Sequence, residues 1–322
     1  MPLIDRRTVS LLGLASLVAP LARAEAAYPS RPIHLIIGFT PGASSDIIGR
    51  MFAEGASPIL GQQIVAENKP GAGSSIAAEY VARATPDGYT LFVPALSSLT
   101  DEIIVGRPIE MSKAFAPVAL LGSLAIVLVV DPAIKVHSVA ELVALAKAKP
   151  GQLLFGSVGA GTLPHLCGVL FEQRTGTDLI HVPYPGSPQA TADVIAGRIT
   201  MSFAPASAVV GQIAAGKVVA LATAGDKRSA ALPDVPTMAE AGIPDFNTPL
   251  WFGLLAPSGT PRPVIDKLAD AANRAMHAPA AITALHAQGY DTADLGPDQF
   301  GAFIRSETIR WSEVAKAAGL KS

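Results

Sequence analysis

Between residues 33 and 256 the chain returns nine times to a short apolar or β-branched run, at 33–39, 63–67, 89–94, 126–130, 153–157, 179–182, 199–203, 218–222 and 251–256. Stretches of helical periodicity separate these runs, and three more follow the last, ending over 299–318. Such alternation predicts parallel α/β structure, because a crossover helix returns the chain to begin the next strand in the same direction. Helix ends are also legible. Ser138-Val139-Ala140-Glu141 has capping-box spacing, and Lys149-Pro150-Gly151 closes the helix it opens. Ser187-Pro188 and Thr260-Pro261 each set a capping side chain before a proline suited to the first helical position.

The first 27 residues read as an address rather than as fold. Arg6-Arg7 precede an apolar run from Val9 to Leu21, too short to span a bilayer, which ends in small residues such as Ala22-Arg23-Ala24. This is the pattern of a cleaved secretory signal, and the paired arginines fit twin-arginine export loosely. About 295 residues remain, enough for two domains with separate cores. A net charge of −2 with no Lys/Arg cluster offers no footprint for nucleic acid or anionic lipid. Cys167 is the sole cysteine and the six histidines are scattered, so the sequence indicates neither a disulfide framework nor a metal site, and no cofactor.

Two segments carry the chemistry. In IIGFTPGASSDIIGRMF, residues 36–52, a buried strand runs through a turn into a helix, and no Lys, Arg or His precedes Arg50. Thr40, Pro41, Gly42, Ala43, Ser44, Ser45 and Asp46 form the turn, whose small residues let an anion approach backbone N–H groups at the positive end of the helix. The segment LLFGSVGAGTLPHLCGVLF, residues 153–171, repeats the arrangement with Ser157, Gly159, Gly161 and Thr162. Neither turn is a P-loop, and neither completes Gly-x-Gly-x-x-Gly. Ser157 fails the Gly-x-Ser-x-Gly test because Phe155 stands two residues before it; a secreted hydrolase would pair Ser157 with His165 as base.

Longer blocks resemble a known family. YPSRPIHLIIGFTPGASSD, VAENKPGAGSSIAAEYVARATPDGYTLFV, HVPYPGSPQATADVIAGR and RSAALPDVPTMAEAGIPDF followed by WFGLLAPSGTPRPVIDKL are similar, in order and over nearly the whole mature chain, to the Bug family. These are periplasmic solute receptors of tripartite tricarboxylate transporters. The resemblance implies a type II periplasmic-binding-protein fold, α/β, with two lobes and a ligand cleft between them. Transferred onto this chain, lobe one is 28–126 plus 248–322 and lobe two is 127–247. It further implies a monomeric, non-enzymatic receptor in the periplasm that binds a small organic anion, a carboxylate, and delivers it to membrane transporter subunits. A receptor that reports its ligand to a membrane signalling partner is the alternative.

The chain also departs from the family pattern. Gly38-Phe39-Thr40-Pro41-Gly42-Ala43 replaces a usual Pro-Phe-Pro-Pro-Gly-Gly, and Ala43 would restrict a position that is often glycine. The segment Leu96-Ser97-Ser98-Leu99 replaces a loop with glycine and asparagine, Tyr184-Pro185-Gly186-Ser187 replaces Tyr-Lys-Gly-Gly, and Ala204 stands where many relatives carry Asp. The resemblance therefore adds Ser97, Tyr184 and Ala204 to the ligand-site residues. Without an acid at 204 a buried ammonium lacks its counter-charge, which predicts an amine-free carboxylate.

Overall fold

The computed structural model describes residues 28–105, 109–317 and 319–320; the leader expected over 1–27 lies outside them. In chain order the elements are β1 (Ile33–Ile37), α1 (Ser44–Leu60), β2 (Ile64–Asn68), α2 (Ser75–Ala82), β3 (Thr90–Val93), α3 (Leu96–Val105), α4 (Met111–Ala114), β4 (Phe115–Leu124), β5 (Ile126–Val130), α5 (Val139–Ala148), β6 (Leu153–Ser157), α6 (Leu163–Thr175), β7 (Leu179–Pro183), α7 (Ser187–Ile195), β8 (Met201–Pro205), α8 (Ala206–Ala214), β9 (Val219–Thr223), β10 (Leu250–Pro257), α9 (Arg262–Met276), α10 (Pro279–Ala287), β11 (Tyr290–Leu295) and α11 (Pro297–Ala317). They build a six-stranded sheet, β11-β4-β10-β3-β1-β2, and a five-stranded sheet, β7-β6-β8-β5-β9.

Both sheets are mixed, which corrects the expectation of purely parallel structure. β1 pairs in parallel with β2 and β3, and β6 with β7 and β8. β10 runs antiparallel to β3 and β4, and β5 antiparallel to β8 and β9. β11 is antiparallel to β4 as well; of the reversed strands, β5 and β10 are the ones by which the chain changes sheets. β4 leads into β5 with only Ala125 between them, so no crossover helix fixes a parallel direction. The return comes before β10, where the Thr248 N–H donates to the Ala224 carbonyl at 2.9 Å and the Ala224 N–H donates to the Ile126 carbonyl at 2.7 Å. The two passages thus lie side by side.

β5 is buried along its whole length, and its alternate side chains serve different cores. Ile126, Leu128 and Val130 join one cluster of buried residues, while Val127 and Val129 join the other with Leu124. A strand covered on both faces must be apolar at every position, which is why 126–130 reads as an unbroken run.

β4 and β11 are absent from the sequence reading. Pro117 and Gly122 break the apolar run of β4, and a register shift in its pairing with β10 falls at Phe252/Gly253, opposite 120–122. β11 contains Asp291 and Asp294 and lies at the edge of its sheet, where charged residues discourage further pairing. The cap of α5 is present, with Glu141 reaching one residue past it: Ser138 Oγ accepts from the Glu141 N–H at 3.2 Å, and Glu141 Oε2 from the N–H of His137, the residue before the cap, at 2.7 Å. The other two expected caps are not. α7 begins at Ser187 itself with no side-chain cap, and the Thr260 hydroxyl donates backwards to the Pro257 carbonyl.

α11 covers the six-stranded sheet through one buried acid. Glu307 Oε2 accepts from the indole N–H of Trp251 at 3.2 Å and of Trp311 at 3.0 Å, with Arg310 3.6 Å from its other oxygen. Glu307→Ala leaves two buried indole donors without an acceptor, and urea unfolding should show a loss of about 2–5 kcal/mol, against much less for Glu307→Gln, whose carbonyl still accepts.

Candidate functional site

A cavity of about 1070 Å³ opens where the carboxyl ends of parallel strands from both sheets meet. Its wall comes from the connections after β1, β3, β6, β7 and β8, with Leu250 and Phe252 of β10. The ends of strands are where such sheets place ligands, because the following helices begin there. The N-terminal residues of α1, α3, α6, α7 and α8 all border this space, as do Ala287 and Gln288 at the end of α10. Among the described residues of the wall there is no Lys, Arg, His, Asp or Glu.

Of the residues singled out from the sequence, Thr40, Pro41, Gly42, Ala43, Ser44, Ser45, Ser97, Gly159, Gly161 and Thr162 line the cavity. The first turn shows how it is held. Gly42 has φ +82°, the left-handed conformation that glycine adopts at no cost. Ala43, with φ −68° and ψ 159°, is ordinary extended backbone, so alanine does not restrict the turn as expected. Asp46 is buried beneath the turn and is absent from the wall. Its carboxylate accepts from the Gly42 N–H at 2.9 Å, from Arg50 Nε at 2.9 Å and from Asn68 Nδ2 at 2.8 Å. Burial pushes its pKa up, but the bonds from Arg50, Gly42 and Asn68 outweigh burial and hold it below the usual carboxylate range.

This framing leaves unpaired donors beside the cavity. Ala43, the residue before α1, supplies no side-chain cap, and the N–H groups of Ser44 and Ser45 make no hydrogen bond among the described residues. The Ser45 hydroxyl is likewise buried and unpartnered. α6, α7 and α8 also begin without side-chain caps. α9 and α10 share that lack but begin at exposed residues, where water satisfies their donors.

Ser157, His165, Tyr184 and Ala204 lie behind the wall. Ser157 is 1% exposed, and its hydroxyl lies 2.6 Å from Nε2 of His181, not against His165. No substrate reaches it, which removes the hydrolase reading. His165 Nδ1 accepts from the Gly161 N–H at 3.1 Å, and its ring centroid lies 4.3 Å from that of His181. The Tyr184 hydroxyl donates to Asp193 at 2.8 Å, although the neighbouring 185–188 do line the cavity. Ala204 pairs with Val127 inside β8 and packs into the core. Sequence reasoning missed Phe39, Ile47, Val158, Leu163, Val210, Leu250 and Phe252, the apolar part of the wall, because nothing in an apolar residue's type separates a cavity wall from a core.

Two α/β units joined by two crossing segments, with a cavity at their strand ends, form the type II periplasmic-binding-protein fold, and the molecule is a solute-binding receptor rather than an enzyme. Residues 48–320 match the tripartite tricarboxylate transporter family receptor, and the chain belongs to that family. The Bordetella pertussis protein BugT is 36% identical over 98% of this chain and 98% of its own. Among solved structures, Rhodopseudomonas palustris Rpa4515 with adipate is 30% identical, with a TM-score of 0.81 over 91% of this chain and 98% of that one. MatC from the same organism, with bound malate, is 29% identical, with a TM-score of 0.77 over 89% and 99%.

Burial, and then the neighbouring His181, push the pKa of His165 down to about 4. An unfolded imidazole titrates near 6.5. Between these values the unfolded chain binds a proton that the folded protein refuses, so stability falls as pH drops from about 6.5 towards about 4 and is unaffected above that window. Burial lowers His181 as well, in the same sense. Melting temperatures measured across this range should fall less steeply for His165→Gln, which keeps an acceptor for Gly161 but does not titrate.

Proposed function

We propose that the protein is a periplasmic receptor that closes around a small organic carboxylate and delivers it to the membrane subunits of a tripartite tricarboxylate-type transporter. The observation that carries this reading is the convergence of five helix N-termini on a cavity wall without a charged side chain. Each N-terminus acts as roughly half a positive charge, so the cavity favours an anion although no cation lines it. The bound adipate and malate of two relatives support a carboxylate. The lobes are assigned as 28–126 with 248–322 and as 127–247, with closure at the paired passages near 125 and 248.

The amine-free preference stands on new ground. Ala204 is in the core, but the described wall holds no acid at all, so an ammonium would lose its hydration without gaining a counter-charge. Thermal-shift measurements on protein freed of bound ligand by unfolding and refolding, against mono-, di- and tricarboxylates and amino acids, test the reading. A carboxylate at about 100 times its Kd stabilises by about 2.7 kcal/mol, a clear upward shift. If every carboxylate leaves the transition unmoved, the proposal fails. Calorimetry should rank succinate and glutarate above aspartate and glutamate, and tighter binding of the amino acids would overturn the preference. Solution scattering should show a smaller radius of gyration on saturation. Gly42→Val and Gly161→Val should abolish binding, since both positions have left-handed φ at the cavity wall.

A further inference from the structure

Tyr290, the first residue of β11, has a ring that is completely buried and packs on Phe252 of the cavity wall at a centroid distance of 5.9 Å. Its hydroxyl donates to the Ser44 carbonyl at 2.8 Å, across 246 residues of sequence. Ser44 opens α1 and lines the cavity, as does Ser45. The Ser44 carbonyl and the Ser45 N–H belong to one rigid peptide plane and point in opposite directions, so whatever holds the oxygen aims the N–H. A bond donated to the oxygen also polarises that N–H and makes it a stronger donor. Burial drives the phenol's pKa up to about 12, so the hydroxyl keeps its proton. The turn that carries Tyr290 is itself fixed: Gly289, with φ +81°, is so close to α8 that a Cβ there would lie 3.0 Å from Ala206 Cβ.

We propose that Tyr290 is a positioning residue for the anion end of the cavity, its hydroxyl aiming and polarising the Ser45 N–H towards the bound ligand. The inference rests on reading the cavity as a carboxylate site. It assigns to a residue outside the wall a part of the preference for charge that no residue of the wall carries as a side chain.

Tyr290→Phe keeps the ring and its packing and removes only the oxygen. In ligand-free, ¹⁵N-labelled protein the Ser45 amide proton should move upfield, while the amides of Leu163 and His165 at the start of α6 stay where they are. Titration with adipate and with its neutral diamide should show the preference for acid over amide falling several-fold in the variant. An unchanged Ser45 amide would overturn the proposal. So would equal losses for acid and diamide together with shifts at both helices, which would make Tyr290 a structural residue only. If the Ser45 amide responds as expected but neither wild type nor variant binds any carboxylate of the panel, the orienting role stands and the carboxylate reading falls.

Discussion

Sixteen residues, from Phe115 to Val130, form an almost uninterrupted strand that belongs to both sheets, and the rest of the architecture depends on it. Its first part lies between β11 and β10 and its second between β8 and β9, so neither sheet is complete without it. β5 is covered on both faces, and its side chains alternate between two apolar clusters, each of which draws residues from both sheets. The second passage, near 224–248, is hydrogen-bonded to the first, so the sheets meet over a narrow waist. Chain that must cross a waist twice brings the carboxyl ends of strands from both sheets to one opening.

That opening is built with little side-chain electrostatics. The ionised groups near it face inward and are occupied: Asp46 secures the first turn through Gly42, Arg50 and Asn68, and Tyr184 is held by Asp193, which Arg198 also binds at 2.6 Å. In the second turn two imidazoles, kept neutral by burial, take the corresponding place, with His165 on Gly161 and His181 on Ser157. The charged and titratable residues thus shape backbone loops, and the loops present N–H groups to the cavity.

This division explains which features were legible in the sequence. The two turns stood out because strand, small residues and helix follow one another locally, and Gly42, Ser44, Ser45, Gly159, Gly161 and Thr162 do line the cavity. Asp46, Ser157 and His165 were chosen from the same segments for their reactive side chains, yet the fold turns those side chains to the scaffold. Ala204 and Tyr184 came from positions in a family pattern, which gives proximity to the site without orientation. Leu250, Phe252 and Tyr290 reach it only through pairing between distant strands, and β11, with its two aspartates, resembles a loop until β4 is beside it. Local pattern therefore located the two turns, whereas long-range pairing supplied the apolar floor and what holds the first turn in place.

A wall that attracts an anion through main-chain N–H groups, as proposed, has an evolutionary consequence. Every residue except proline carries such a group, so substitution of an apolar wall residue like Ile47, Val158 or Val210 changes the shape offered to the ligand's body and leaves those donors in place. On the proposed reading, descendants of such a chain can exchange one acid for another by single steps without passing through a form that binds nothing. Only the few positions that fix the loops themselves, Gly42, Asp46 and Gly161 among them, are closed to that drift.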